Sequence, residues 1–159
     1  MKTRIGIGFD VHPLKENIDF WLGGIHIAHN KGAAGHSDAD TLIHAIIDAL
    51  LGAANLGDIG SHFPDTSKDY KGIDSKILLK KTNELLKKSG FFIGNIDTTI
   101  CLQKPKIAPF IPEMKKTLAE VLEIHEGDIS IKATTTEKLG FVGREEGIAV
   151  YAVALINQS

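Results

Sequence analysis

Cysteine occurs once in 159 residues, tryptophan once, and neither sign of charge dominates. With Cys101 alone, an intrachain disulfide and a multi-thiolate metal site are both excluded. Cys101 lies in the apolar run IDTTICLQ, which predicts a buried, inert thiol. No run of about 18 uncharged apolar residues occurs, so no segment reads as membrane-spanning. The opening MKTRIGIGFD has no apolar h-region and reads as entering the fold directly, so the expected location is the cytoplasm. Lys and Arg number 18 against 20 Asp and Glu, a net charge of −2, and no basic run is interleaved with aromatics. That balance argues against a nucleic-acid groove. The densest lysine cluster, KKTNELLKK at 80–88, reads as the wet face of a helix.

What is present is the mixture of a globular protein, 43% hydrophobic and 24% charged, at a length suited to one domain over residues 1–159. TRIGIGFDV reads as a first strand, and DFWLGGIHIA (19–28) as a second, bent at Gly23-Gly24. HNKGAAGH (29–36) reads as a mobile loop. SDADTLIHAIIDALLGAA (37–54) is the clearest helix, with Ser37 as N-cap and Asp40 completing a capping box. Residues 55–72 read as a long loop of the kind that is functional or disordered. A second helix is expected over 74–90, capped by Asp74, and a third over 112–124, with Pro112 in its first turn. FFIGNIDTTICLQ, DISIKATTT (128–136) and GIAVYAVALIN (147–157) complete the strands. The order β-β-α-α-β-α-β-β predicts an α+β fold, a single-layer mixed β-sheet with helices packed on one face. GIAVYAVALIN is apolar on both sides of its alternation, so a symmetric oligomer is expected to cover the other face.

GFDVHPL (8–14) ends the first apolar run with a carboxylate and an imidazole two residues apart. In a strand Asp10 and His12 project together, as a pair of metal ligands would and as a surface ion pair would. Pro13 is expected to stop the strand there. In the first helix Asp40, His44 and Asp48 recur every four residues as a polar stripe among Leu and Ile. An exposed helix face explains the stripe; so does a metal-ligating His44 whose other ring nitrogen is held by a neighbouring acid. Asp10, His12 and His44 together suit Zn²⁺ with a fourth position left for substrate. His26, His29 and His125 read as surface residues, and His62 is undetermined.

GFDVH, GHSDADTLIHAIIDALLGAANLGDIG, FPDT and KATTTEKLGFVGREEGIA, in that order, resemble the 2-C-methyl-D-erythritol 2,4-cyclodiphosphate synthases. The resemblance spans essentially the whole chain. It implies a homotrimer of α+β subunits with active sites at subunit interfaces. The implied reaction closes 4-diphosphocytidyl-2-C-methyl-D-erythritol 2-phosphate on itself. The 2-phosphate attacks the β-phosphorus and expels CMP, a phosphorus–oxygen lyase step of the non-mevalonate (MEP) isoprenoid pathway. No protein nucleophile is needed, which agrees with the lack of any Ser/His/Asp or Cys/His triad.

By the resemblance, Asp10, His12 and His44 hold Zn²⁺, and Glu137 of TTTEK holds a second ion, Mg²⁺ or Mn²⁺. His36 and Thr135 match the groups that stabilise the transition state, and His36 with Ser37 lies where a loop closes over the phosphates. Asp10, Val11 and His12 also count as substrate contacts. Asp58, Ile59 and Gly60, with Phe63, Pro64, Asp65, Thr66 and Ser67, match the methylerythritol site. Leu102, Gln103, Lys104, Pro105, Lys106, Ile107 and Ala108 match the cytidine pocket, with Ala133, Thr134, Thr135, Thr136 and Glu137 beside them. Phe141 and Arg144 match residues near the three-fold axis, where a cavity is associated with isoprenoid diphosphates. Two positions depart from the family pattern: Glu145 stands for a small residue, and Tyr151 for an acidic residue of some members. Both bear on the axial ligand. The implied partners are thus the small-molecule cytidine diphosphate substrate and further copies of this chain, with no nucleic acid and no membrane. Two rival readings use the same ligands. One is a zinc phosphohydrolase, which would want a second ligand cluster and a general base. The other is a non-enzyme trimer that binds isoprenoid diphosphates as a sensor or uses zinc structurally, the last wanting a fourth ligand.

Overall fold

A computed structural model describes residues 1–159. In chain order the elements are β1 (Lys2–Glu16), β2 (Phe20–Leu22), β3 (Ile25–Ile27), β4 (Lys31–Ala33), α1 (Thr41–Ala53) and α2 (Ile59–His62). Then follow α3 (Ser75–Lys88), β5 (Phe91–Cys101), α4 (Ile111–Leu122), β6 (Ile129–Thr134), α5 (Gly140–Gly143) and β7 (Gly147–Gln158). Five strands form one sheet in the order β4-β1-β7-β5-β6, with only β5 and β6 parallel. The mixed sheet with helices is as the alternation predicts.

α1 is apolar nearly all round, and such a helix has to lie inside the protein. It packs on β1 and β7, with α3 beside it against β5 and α4 against α3 and β6. Leu42, Ile43, Ile46, Ile47, Leu50 and Leu51 are fully buried in a core of 36 residues. Its approach to the sheet is close. A Cβ on Gly6 would lie 2.1 Å from the Ala49 carbonyl oxygen, and one on Gly8 1.9 Å from that of Ala45. Even-numbered residues of β1 therefore face α1, and Asp10 and His12 continue that face.

The odd-numbered residues face away. Ile5 and Ile7 are each 72% exposed, and Phe9, Val11, Tyr151 and Val153 about half. Phe9 pairs with Tyr151 across the ladder, their rings 5.0 Å apart, so the helix-free side carries one apolar strip.

Several local expectations are corrected. Residues 19–28 form a hairpin, β2–β3, which turns at Gly23 and Gly24, both at positive φ. The segment read as a mobile loop contains β4, hydrogen-bonded to the end of β1. Pro13 does not stop β1. It pairs with Gly147, the first residue of β7, so its missing N–H falls where that ladder ends and Leu14 passes to β4. The 55–72 segment holds α2 and a 3₁₀ turn at Lys68–Tyr70. The N-cap of α1 is Asp40, whose side chain accepts from Ile43 N, and Ser37 lies outside the helix.

Candidate metal centre and cleft

Because Gly6 and Gly8 admit α1 onto β1, His44, beside Ala45, arrives against Asp10. Asp10 Oδ2 lies 3.1 Å from His12 Nδ1 and 3.2 Å from His44 Nδ1. The ligand atoms of the three residues all fall within 4.8 Å of one another. An ion bound tetrahedrally at ~2.0 Å would separate its donors by ~3.3 Å. Asp10 Oδ2 is buried, and despite these short separations it meets no hydrogen bond of acceptable direction. A buried acceptor without a donor is costly, and a bound cation would satisfy it. Burial pushes the Asp10 carboxyl up, but the two histidines outweigh it and hold it below its usual value. Burial likewise pulls His44 down, and Asp10 more than offsets it, so the imidazole titrates above its usual value. No lysine or arginine pairs with Asp10, Asp38, Asp40 or Asp48. The donor set fits a divalent cation.

The polar stripe of α1 divides into separate roles. Asp40 is fully buried and takes N–H bonds from Gly23 (3.0 Å), Gly24 (2.7 Å) and Ile43 (3.0 Å). Burial and the Asp38 carboxylate nevertheless push it up to about 6. Asp48 accepts from Ile59 N at 2.7 Å and so anchors the start of α2. Neither acid holds His44. Its Nε2 lies 2.8 Å from Ser75 Oγ and 3.2 Å from Ser37 Oγ, and Ser75 Oγ in turn donates to Asp38. Asp38 and Ser75 were missed by sequence reasoning, although both stand in helix-start signals, SDAD and DS.

A cleft of about 570 Å³ opens beside the centre, lined by His12, His36, Ser37 and His44 and by the 59–66 segment, with Tyr70 and Leu78. His36 Nε2 lies 2.8 Å from the Ser67 carbonyl oxygen, which ties the 36–37 segment to the far wall. Ile59, Gly60, Phe63, Pro64, Asp65 and Thr66 face the cleft. Asp58 instead caps α2, taking bonds from Ser61 N and Oγ (2.9 and 2.6 Å), which hold its carboxyl below the usual value. Ser67 caps the 3₁₀ turn. Val11 points to the opposite, helix-free face.

The remaining expected residues gather elsewhere. Residues 102–108 follow β5 and 133–137 end β6, joined by Leu102 N to Thr134 O at 3.0 Å and by Lys138 N to Gln103 Oε1 at 3.3 Å. Thr135 is not mid-strand, because β6 ends at Thr134; its hydroxyl accepts from Glu137 N at 3.2 Å. Glu137 is exposed, and it and Lys138 both adopt positive φ. Ladder register puts this group at the same end of the sheet as His12, since Cys101 pairs with Ala149 and Val11 with the same Ala149. β1 and β6 are nonetheless three strand spacings apart, about 14 Å. Arg144 donates to Glu146 Oε1 at 2.9 Å, and Phe141 packs at Gly147. Cys101 is half-buried rather than buried, and burial pushes its thiol up. Of the other histidines, His26 is exposed beside Asp19, His125 caps a 3₁₀ turn, and His62 Nε2 contacts the Leu56 carbonyl at 2.7 Å.

Fold and site together define the class: a mixed-sheet α+β protein with an Asp-His-His set, able to hold a metal ion, between its first strand and its first long helix. The chain belongs to the YgbB family, whose sequence model matches residues 3–157. It is 64% identical over 158 residues to the 2-C-methyl-D-erythritol 2,4-cyclodiphosphate synthase of Bacteroides fragilis, covering 99% of each chain. Among solved structures, the bifunctional IspDF from Campylobacter jejuni superposes with a TM-score of 0.96 at 42% identity, over 99% of this chain and 43% of that one. The Plasmodium falciparum IspF complex with CDP superposes with a TM-score of 0.87 at 36% identity, over 99% and 97%.

Proposed function

We propose that the chain is a single cyclodiphosphate synthase domain. It would convert 4-diphosphocytidyl-2-C-methyl-D-erythritol 2-phosphate to 2-C-methyl-D-erythritol 2,4-cyclodiphosphate and CMP in the cytoplasm, within the MEP isoprenoid pathway. The observation that carries this is the Asp10, His12 and His44 set, opening on a cleft lined by residues of the GHSDAD, GDIG and FPDT segments that resemble the synthases. Asp10, His12 and His44 would hold Zn²⁺, and Glu137 a Mg²⁺ or Mn²⁺. Bound there, the two ions would supply Lewis-acid charge to the diphosphate.

The chain's own groups position the rest. Ser67 O accepts from His36 Nε2–H, so His36 can donate to a phosphate oxygen only from Nδ1, as imidazolium. Ser37 would close with His36 over the phosphates, and the 59–66 wall would enclose the methylerythritol part. Segments 102–108 and 133–136 would take the cytidine, and the CDP-bound Plasmodium relative supports a nucleotide ligand.

The cleft beside the centre has no wall from 102–108 or 133–137, and the apolar strip of β1 and β7 is uncovered. A homotrimer answers both, each neighbour lending its β6 end to the next subunit's cleft. In that assembly Phe141 and Arg144 would face an axial isoprenoid diphosphate, for which Arg144 would first have to release Glu146.

Phosphorus NMR of the protein with substrate, Zn²⁺ and Mg²⁺ tests the reading. Appearance of the cyclic diphosphate with CMP, lost in His44→Ala, is expected. Inorganic phosphate instead would make the chain a phosphohydrolase, and an unchanged spectrum with metal bound would make it a binding protein.

A further inference from the structure

We propose that Ser75 and Asp38 form a relay that locks His44 in the tautomer able to ligate a cation. Both are positioning residues. The proposal rests on the metal reading of Asp10, His12 and His44 given above. Ser75 Oγ lies 2.5 Å from Asp38 Oδ1 and 2.8 Å from His44 Nε2. A serine hydroxyl has one proton, and an ionised carboxylate only accepts, so the proton goes to Asp38. Ser75 then offers His44 only lone pairs. In the neutral ring Nε2 must then carry the hydrogen, and Nδ1 is left with its lone pair on the side of Asp10 Oδ2, 3.2 Å away, where a cation would take it. Ser37 Oγ accepts from Ala39 N, and at 3.2 Å from Nε2 it is a second and longer acceptor for the same hydrogen.

The carboxylate at the end of the relay is itself fixed. Asp38 Oδ1 also accepts from Asp40 N (3.1 Å), and Oδ2 accepts from Ser75 N (2.9 Å). Ser75 is the first residue of α3, yet Asp74 caps that helix, and Ser75 is fully buried. Its hydroxyl has no other partner in the fold. Three elements thus converge on one ring: the 37–38 segment, α1 and α3. Partners behind a metal-bound histidine fix its ring and raise its basicity, and losing one costs about 10–100-fold in metal affinity.

Zinc affinity, measured by competition with a chromophoric chelator, tests the relay without reference to turnover. Ser75→Ala should bind zinc about 10–100-fold more weakly. Its activity should return when zinc is raised to saturation, and its metal-free melting should stay near that of the parent. Asp38→Asn should weaken zinc in the same direction. The double variant should lie within about threefold of Ser75→Ala, because both changes break one chain of bonds. Ser75→Ala binding zinc within about threefold of the parent, while His44→Ala has lost it, would overturn the relay and leave the metal centre standing. Zinc retained by His44→Ala would instead remove the metal reading, and the relay with it. If Ser75→Ala melts early, the affinity of Asp38→Asn decides, and parental affinity there overturns the proposal.

Discussion

The two ends of the proposed site are built in opposite ways. At β1 and α1, every ligand atom is set by the chain's own core: glycines admit the helix, Asp40 caps it, and Asp10 and His44 meet in a buried corner. At the end of β6, Thr135 and Glu137 stand in solvent and Thr136 is half-buried, on a turn where Glu137 and Lys138 both take positive φ. The first region is organised before anything binds. The second is held by bonds within its own turn, Glu137 N to Thr135 Oγ1 at 3.2 Å and Thr136 Oγ1 to Leu139 O at 2.7 Å, and nothing in the core fixes the Glu137 carboxylate.

The contrast can be broken from either side. The largest effect is expected at the buried end: His44→Ala should lose zinc and at least about a thousandfold in turnover, measured by metal analysis and product NMR. A charge on the helix-free strip, Ile7→Glu, should come next. It should leave a folded chain that still binds zinc, yet sediments as a monomer and turns over about a hundredfold more slowly. Loss of zinc in that variant would mean that the centre, too, depends on assembly. Glu137→Gln should cost about tenfold or more in activity, partly recovered at higher Mg²⁺, with zinc affinity unchanged.

Two smaller effects sharpen the buried half. Asp40→Asn sets an amide N–H₂ against the backbone N–H donors and should cost about 1–3 kcal/mol in urea denaturation. Asp40's carboxyl is pushed up to about 6 from 3.8. What it contributes to stability through this shift is therefore complete below its ordinary pKa and lost as the pH rises through about 6. The gap between parent and Asp40→Asn should accordingly narrow from pH 4 to pH 7. Asp48→Ala releases Ile59 N from α1, and KM should rise by about threefold to tenfold with kcat little changed.

The sequence disclosed the buried end better than the exposed one, for physical reasons. Alternation in GFDVH put Asp10 and His12 on one face, and the apolar periodicity of 41–53 placed α1. Those are local signals with one structural solution. The cap slipped from Ser37 to Asp40 because SDAD offers three capping side chains, and the choice among them is made by the distant Gly23 and Gly24 amides. Pro13 lies inside β1 because proline is tolerated where a ladder changes partner, and the partner, β4, is only three residues long and leaves little local signal. Ser75 lies 31 residues from His44, and nothing in either segment signals that their side chains meet. Positions 102–108 and 133–137 came from motif resemblance, since their residues are ordinary turn and strand formers.

Gly6 and Gly8 set a clearance as well as a packing contact. The absent methyl groups act as a spacer gauge between strand and helix, and the gauge is read out two residues further along, where Asp10 meets His44. A methyl at position 8 would wedge α1 outward near Ala45 and widen the gap between the donors. Gly8→Ala would then look like a change in the core and behave like a change of metal preference, favouring larger ions over smaller ones.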